Sequence, residues 1–364
     1  MRQSDGLVPG TAAPRAALAC CAVFALAASC AGSTPGGNDR RPDAGAVDSG
    51  PSDVLTREDA SCAQGAADAS ACGARDGSCC ASPEAPGGTY FRTYTNDGGG
   101  PAAEADPASI SGFRLDAYLV TVGRFRPFVA AAVGGWRPPA GSGKHLHLNG
   151  GLGLADSSAP GYETGWRSSD TIELATTMDD WSARLECEPS FGTWTDQPGD
   201  NETLPMNCID WYEAYAFCIW DGGFLPSEAE WEYAAAGGTD QRAYPWGSAA
   251  STSDLYLISD CNYPVGATGC QGVANIAPVG TTALGKSRWG QFDMAGELAE
   301  WTIDFYAPYV DPCRDCVFLT DYSYRVVRGG SFGTDTEDLS PSARDGDLPE
   351  SRNAFYGARC ARAP

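Results

Sequence analysis

Apolar positions fall into helical spacing at three places along this chain, and a capping signal opens each one. Thr121 precedes Phe125, Phe128 and Val129, which share one face and predict a helix running to Val133. Asp210 and Glu213 have the form of a capping box, with Trp211, Ala214, Tyr215 and Cys218 on the inner side of a helix ending near Trp220. Ser227 and Glu230 form a second box ahead of Trp231, Ala234 and Ala235, and Gly237-Gly238 supplies the stop. The rigid turn Tyr244-Pro245-Trp246-Gly247 follows, so this stretch reads as a fixture of the core. Alternation of period two predicts strands over 89–94 and 113–120. Residues 134–204 read as loop carrying Trp136, Trp166, Trp181 and Trp194, and beyond 248 short extended pieces alternate with long turns. The pattern is that of an α+β fold, not a doubly wound sheet.

The same pattern divides the chain. Residues 31–60 hold hardly any large apolar side chain, and 61–86 set four cysteines in a Gly/Ala/Ser matrix. The first cannot recover its ordering entropy and predicts a tether over 30–60. The second predicts a small cysteine-rich collar that depends on disulfides. The folded domain is expected over 87–364. No internal repeat, phosphate loop or dinucleotide fingerprint is present.

Composition sharpens this picture. Forty-five glycines, 25 prolines, ten tryptophans and 15 tyrosines suggest ordered loops pinned by aromatic rings. A formal net charge of -23 argues against nucleic acid, because phosphates would be repelled and no basic stripe offsets that. Residues 1–29 read as a signal peptide, with two arginines before the apolar run Ala16–Ser29, a run too short to make a stable membrane span. Its end, Leu26-Ala27-Ala28-Ser29-Cys30, resembles a bacterial lipoprotein signal with Cys30 as the acylated residue. The alternative is an ordinary cleavage site near Ala28. Either way export is expected, to the cell envelope through a lipid anchor or as a secreted protein.

Export favours disulfides over zinc for the twelve cysteines beyond Cys30. Adjacent Cys79 and Cys80 are expected to enter separate bridges. Cys313 and Cys316 either bridge each other across a turn or pair elsewhere, and a structural role is favoured over a redox one. His145 and His147 are the only histidines. A strand would place both rings on one side, but a polar loop before Gly150-Gly151 is the favoured account.

Specific words then carry a resemblance. LPSEAEWEYAAAGG with YPWG, FDMAGELAEWTIDFY over Phe292–Tyr306, RVVRGGSF over Arg325–Phe332, and Gly357-Ala358-Arg359 resemble the formylglycine-generating enzyme, or sulfatase-modifying factor, family in order and spacing. The resemblance runs from Gly87 to Arg359. It implies a compact α+β fold related to C-type lectins, often stiffened by calcium. It also implies oxidation of a sulfatase cysteine by oxygen at a copper ion held by two cysteines that follow the RGGS segment. The matching positions here are Thr334 and Leu339, and residues 328–359 contain no cysteine. A hydroxyl and a leucine do not replace two thiolates for Cu(I), so copper is not expected. Related iron-dependent sulfoxide synthases add a histidine-rich helical bundle, for which two histidines are too few.

The resemblance also implies a calcium loop at Gly296–Trp301. Glu300 matches its acidic ligand and Glu297 replaces its asparagine, with both carboxylates hard enough for Ca2+. The alternative gives Glu297 and Glu300 a solvent-facing capping role. The family's second calcium site falls between Asp260 and Val279. Arg328, Arg344 and Arg359 are expected to tie loops together, with ligand binding ranked lower. Trp301, Arg328 and Thr334 are the candidate groove residues, although a core tryptophan would look the same. The expected function is therefore a non-oxidase binding or cell-envelope protein whose partner is a peptide, a glycan or an envelope component. The alternative is a divergent oxidoreductase of the same family, distinguished by histidines, cysteines or carboxylates converging near Thr334.

Overall fold

A computed structural model describes residues 60–62, 72 and 78–364 apart from 337 and 338. The signal peptide, the tether, Cys30 and most of the collar's interior lie outside the described residues. In chain order the elements begin with β1 (Glu84–Ala85), β2 (Gly88–Thr95), β3 (Ala102–Ile110), β4 (Phe113–Leu115) and α1 (Val122–Val133). Next come β5 (Ala155–Asp156), α2 (Met178–Leu185), α3 (Trp211–Trp220) and α4 (Glu228–Ala236). The last third holds β6 (Ala299–Phe305), β7 (Cys313–Arg314), β8 (Cys316–Val317) and β9 (Arg325–Arg328), then β10 (Arg344–Asp347), β11 (Tyr356–Gly357) and β12 (Ala361–Arg362). The fold is α+β, as the hydrophobic pattern implied.

The local signals behave as the sequence predicts. Thr121 Oγ1 accepts from Arg124 N at the start of α1. Both capping boxes close, at Asp210/Glu213 and at Ser227/Glu230. Gly237 ends α4 at φ 69°, a left-handed conformation that favours glycine. Two expectations need correction. The strand expected over 113–120 stops at Leu115 because the buried Asp116 carboxylate there accepts from Arg124 and Arg362. The stretch 134–204 is not all loop: Thr177 caps α2, which buries Trp181 and Leu185 one turn apart.

The sheet that organises the domain has the order β10-β9-β6-β11. β9 runs antiparallel to β6 and to β10, while β11 runs parallel to β6. Every residue of β6 and β9 is buried, so packing and not solvent decides what each face carries. One face of β6 is apolar (Ala299, Trp301, Ile303 and Phe305), and Trp301 joins Phe125, Phe128, Trp181, Trp211 and Phe217 in the largest core cluster. The other face is polar and lies against α4. Asp304 Oδ2 accepts from Glu228 N at 2.7 Å, satisfying an orphan amide of the helix, and Trp231 Nε1 donates to Glu300 at 2.9 Å. Alternation here separates two kinds of interior.

Six disulfides close the described loops: Cys62–Cys80, Cys72–Cys79, Cys187–Cys208, Cys218–Cys360, Cys261–Cys270 and Cys313–Cys316. The adjacent pair Cys79 and Cys80 does enter separate bridges, and Cys313 bridges Cys316 across its turn. Ser61 ties the collar to the domain, since its amide donates to Asp221 at 2.7 Å and its hydroxyl accepts from Arg124 at 3.0 Å. Among the described residues, no helix is long and apolar enough to cross a membrane.

Candidate functional site

β9 leads directly into the site. After Arg328 the chain turns through Gly329 (φ 94°) and Gly330 (φ 63°), a geometry that strains other residues. Space demands glycine as well, because a Cβ on Gly330 would stand 2.2 Å from Leu339 Cδ2 and 3.2 Å from Thr334 Cγ2. Thr334 and Leu339, the two positions matched to the family's copper cysteines, are thus brought together over one glycine.

Their chemistry is closed. Thr334 Oγ1 accepts from Ser331 N at 2.9 Å and lies 3.1 Å from Ser331 Oγ, a local turn that serves its polar atom. Leu339 is buried in a small apolar cluster with Leu257 and Ala295. Neither supplies a soft donor, so these residues do not fit copper.

Beside them opens a cavity of about 530 Å³, with Ser331, Thr334, Asn353, Phe355 and Tyr356 in its wall and Ala299 and Val327 contributed by β6 and β9. Among the described residues, its charged groups are Arg344 and Asp345, and no histidine or cysteine lines it. Arg344 is committed: Nε and Nη2 each lie 2.7 Å from a Glu228 oxygen.

Of the three groove candidates, Thr334 lines this cavity. Trp301 does not: it is fully buried, donates to Ile209 O at 3.1 Å, and stands behind the cavity wall with its edge against Tyr356. Arg328 points to the other face of the sheet. There it pairs with Glu232 at 2.6 Å and donates to Pro341 O and Ala343 O. Burial opposes the Arg328 charge, but Glu232 more than restores it.

The proposed calcium pair has separate engagements, and both side chains are buried, which removes the solvent-facing alternative. Both oxygens of Glu300 receive Arg359, at 2.6 and 2.7 Å, so this carboxylate already has its cation. Glu297 Oε1 accepts from Ala277 N at 2.9 Å, and its Oε2 is buried without a partner. Burial and the charge of Asp293 hold the Glu297 carboxyl well above its ordinary value. Glu297 thus keeps one unengaged oxygen, while both oxygens of Glu300 are engaged by Arg359. Among the described residues, no group of three or more acidic, cysteine or histidine side chains is placed to hold a metal.

Sequence reasoning missed His145. It lies in a loop, as expected, but is completely buried, with Nδ1 3.1 Å from both Glu163 oxygens and Nε2 3.1 Å from Glu230. Burial alone would lower its pKa. Glu230 and Glu163 outweigh that and raise it to about 10. Glu230, read as a helix cap, is also half of this clamp. The missing signal was a pairing over 85 residues, which no local pattern carries.

Comparison with known proteins agrees with this geometry. The chain is 30% identical over 303 residues to the formylglycine-generating enzyme of Thermomonospora curvata, covering 77% of this chain and 92% of that protein. It is 33% identical over 209 residues to the hercynine oxygenase of Mycobacterium tuberculosis, covering 55% of this chain and 45% of that one. Among solved structures, PvdO from Pseudomonas aeruginosa superposes with a TM-score of 0.50 at 17% identity, covering 77% of this chain and 93% of PvdO, a likeness of fold. The sulfatase-modifying factor enzyme 1-like domain matches residues 82–364, and the chain belongs to that family.

Proposed function

We propose that this is an exported, lipid-anchored envelope protein that uses its sulfatase-modifying-factor-like domain to bind a partner and does not perform the copper-dependent oxidation. The observation carrying this reading is the closed pair over Gly330: Thr334 spends its hydroxyl on Ser331, and Leu339 packs into apolar surroundings. One relative is named for generating formylglycine and another as an oxygenase, but the soft donors that Cu(I) needs are absent from Thr334 and Leu339 here. The cavity beside Thr334 offers hydroxyl and amide groups with two aromatic rings, a lining suited to a peptide or glycan presented by an envelope partner. Six bridges among the described residues support an oxidising destination. Calcium has no part in this reading beyond the single open oxygen of Glu297.

The test expresses the full chain and its Cys30→Ser variant in an exporting bacterial host. Wild-type protein is expected in the detergent-extracted membrane fraction and the variant in the soluble fraction. Neither is expected to convert a sulfatase-type cysteine peptide when supplied with Cu(I) and oxygen. Copper-dependent aldehyde in the product peptide would falsify the non-oxidase reading, and soluble wild-type protein would remove the anchor.

A further inference from the structure

A second cavity, of about 270 Å³, lies at the other end of β9. Its walls include Trp211, Tyr215, Ile303, Phe305 and Leu319, and Arg325 is its buried cation. The guanidinium lies against two rings, 3.6 Å from the centroid of Phe305 and 3.8 Å from that of Trp211. Nη1 donates to Ile303 O at 2.7 Å, and Nε is buried without a partner. The three fully buried arginines of the domain all face carboxylates: Arg124 with Asp116 and Asp221, Arg328 with Glu232, and Arg359 with Glu300. Arg325, buried nearly as deeply, forms no ion pair with any described residue.

An uncompensated buried charge is costly, and aromatic faces return only part of that cost. We propose that this cavity is a carboxylate-binding site in which Arg325 receives the ligand's anionic group. With two rings against the guanidinium carbon, the ligand is expected at its edge, where the N–H groups point. That is the approach a planar carboxylate makes in a bidentate pair. The apolar wall suits a ligand with an apolar body behind its charge. Asp156, Glu163 and Asp170 also line the cavity. Glu163 is taken by His145, Asp170 by Arg167, and Asp156 by Ser158 and Leu319 N. With Arg167 also in the lining and paired to Asp170, these acids leave little net negative charge, and what remains disfavours a dianion such as phosphate more than a single carboxylate. Burial, with Arg167 adding to it, lowers the Arg325 pKa to about 9, against the opposing pull of Tyr212, Asp304 and Asp170. Arg325 is therefore cationic at neutral pH and short of a counter-charge. This site is separate from the cavity at Thr334 and does not depend on what binds there.

The test is calorimetric titration of the full-length protein with benzoate, with a short peptide bearing one glutamate, and with inorganic phosphate. Saturable binding of benzoate or of the peptide, with phosphate weaker, is expected. Benzoate identifies a free organic acid as the source, and binding of the peptide alone identifies an acidic side chain. Arg325→Met is expected to weaken that binding at least tenfold, with a melting temperature within about 3 °C of wild type. Leu319→Trp narrows the cavity, leaves Arg325 in place, and is expected to abolish binding. Absence of saturable carboxylate binding, equal binding of phosphate, or undiminished binding by the folded Arg325→Met or Leu319→Trp protein would overturn the proposal. So would a loss of melting temperature in Arg325→Met as large as in Arg328→Met, which would make the guanidinium a structural part.

Discussion

Arg325 and Arg328 stand three residues apart on β9, are both buried, and face opposite sides of the same sheet. Nε lacks a partner in each, so the difference lies in counter-charge. Arg328 meets Glu232 and three carbonyls on the polar face behind α4. Arg325 meets two rings and one carbonyl on the face that carries the core. One strand thus presents a cation that completes the fold and another that the fold leaves unsatisfied. Within a single domain, complete pairing reads as architecture, and an unmatched buried charge reads as capacity for a ligand.

The sharpest way to break this comparison is to remove each charge in turn. Arg328→Met leaves Glu232 buried without its cation and is expected to cost about 3–5 kcal/mol, or to prevent folding. Arg325→Met removes no ion pair. The cation–π contacts it loses, about 0.5–2 kcal/mol each, are set against relief of a desolvated charge, so a change within about 1 kcal/mol is expected. Urea denaturation of the two variants beside wild type measures both. Equal losses would erase the distinction between the two arginines.

His145 supplies a third cation, matched on both sides, and makes the comparison titratable. Its folded pKa of about 10 lies above its ordinary 6.5. The imidazolium's contribution is therefore fully present below pH 6.5 and is lost as pH rises through 10. Asp304, raised chiefly by burial to about 7, also makes the folded state less stable as pH climbs from its ordinary value. The informative quantity is then the stability of wild type minus that of His145→Gln. It is expected to be on the order of 2 kcal/mol at pH 6 and to shrink toward zero by pH 10. A difference independent of pH would mean that the ring is held by packing and not by its charge.

These cases show which kinds of information were local in the sequence. The capping boxes at Asp210/Glu213 and Ser227/Glu230 were legible because each closes within four residues. The α2 helix was legible in principle from Thr177, the acidic pair Asp179-Asp180, and Trp181 one turn before Leu185, but isolated tryptophans in a long stretch obscured it. Burial of both faces of the Arg325-Val326-Val327-Arg328 run is set by what packs there, and alternation does not report that. The same limit hid the roles of Glu297 and Glu300. Glu300 takes its partner Arg359 from 59 residues away, which turns an apparent metal ligand into a structural anion. Disulfide pairing was open for a related reason: spacing counts cysteines, whereas the fold chooses partners, as in Cys218 with Cys360 across 142 residues.

The last comparison lies at the far end of β9, where Thr334 Oγ1 is engaged by Ser331 and a hydroxyl and a leucine stand at the positions matched to two thiols. Thr334→Cys with Leu339→Cys restores two thiols at positions that the structure holds against the same glycine. The Leu339 substitution trims a buried side chain and is expected to cost about 1–2 kcal/mol, with little added by Thr334. Soft thiolates favour Cu(I), so the reduced double variant is expected to take up one copper per chain in competition with a chromogenic chelator. Wild type, offering a hydroxyl and a leucine, is expected to take up none at this site. The Arg325 cavity serves as the internal control, because its carboxylate binding should be the same in both proteins. Copper uptake by wild type equal to that of the double variant would show that another donor set on this chain binds the metal, and would reopen oxidative chemistry for it. No uptake by either would show that the closed arrangement around Gly330 persists when the thiols return, so that the loop geometry, and not the two side chains alone, separates this protein from its copper-dependent relatives.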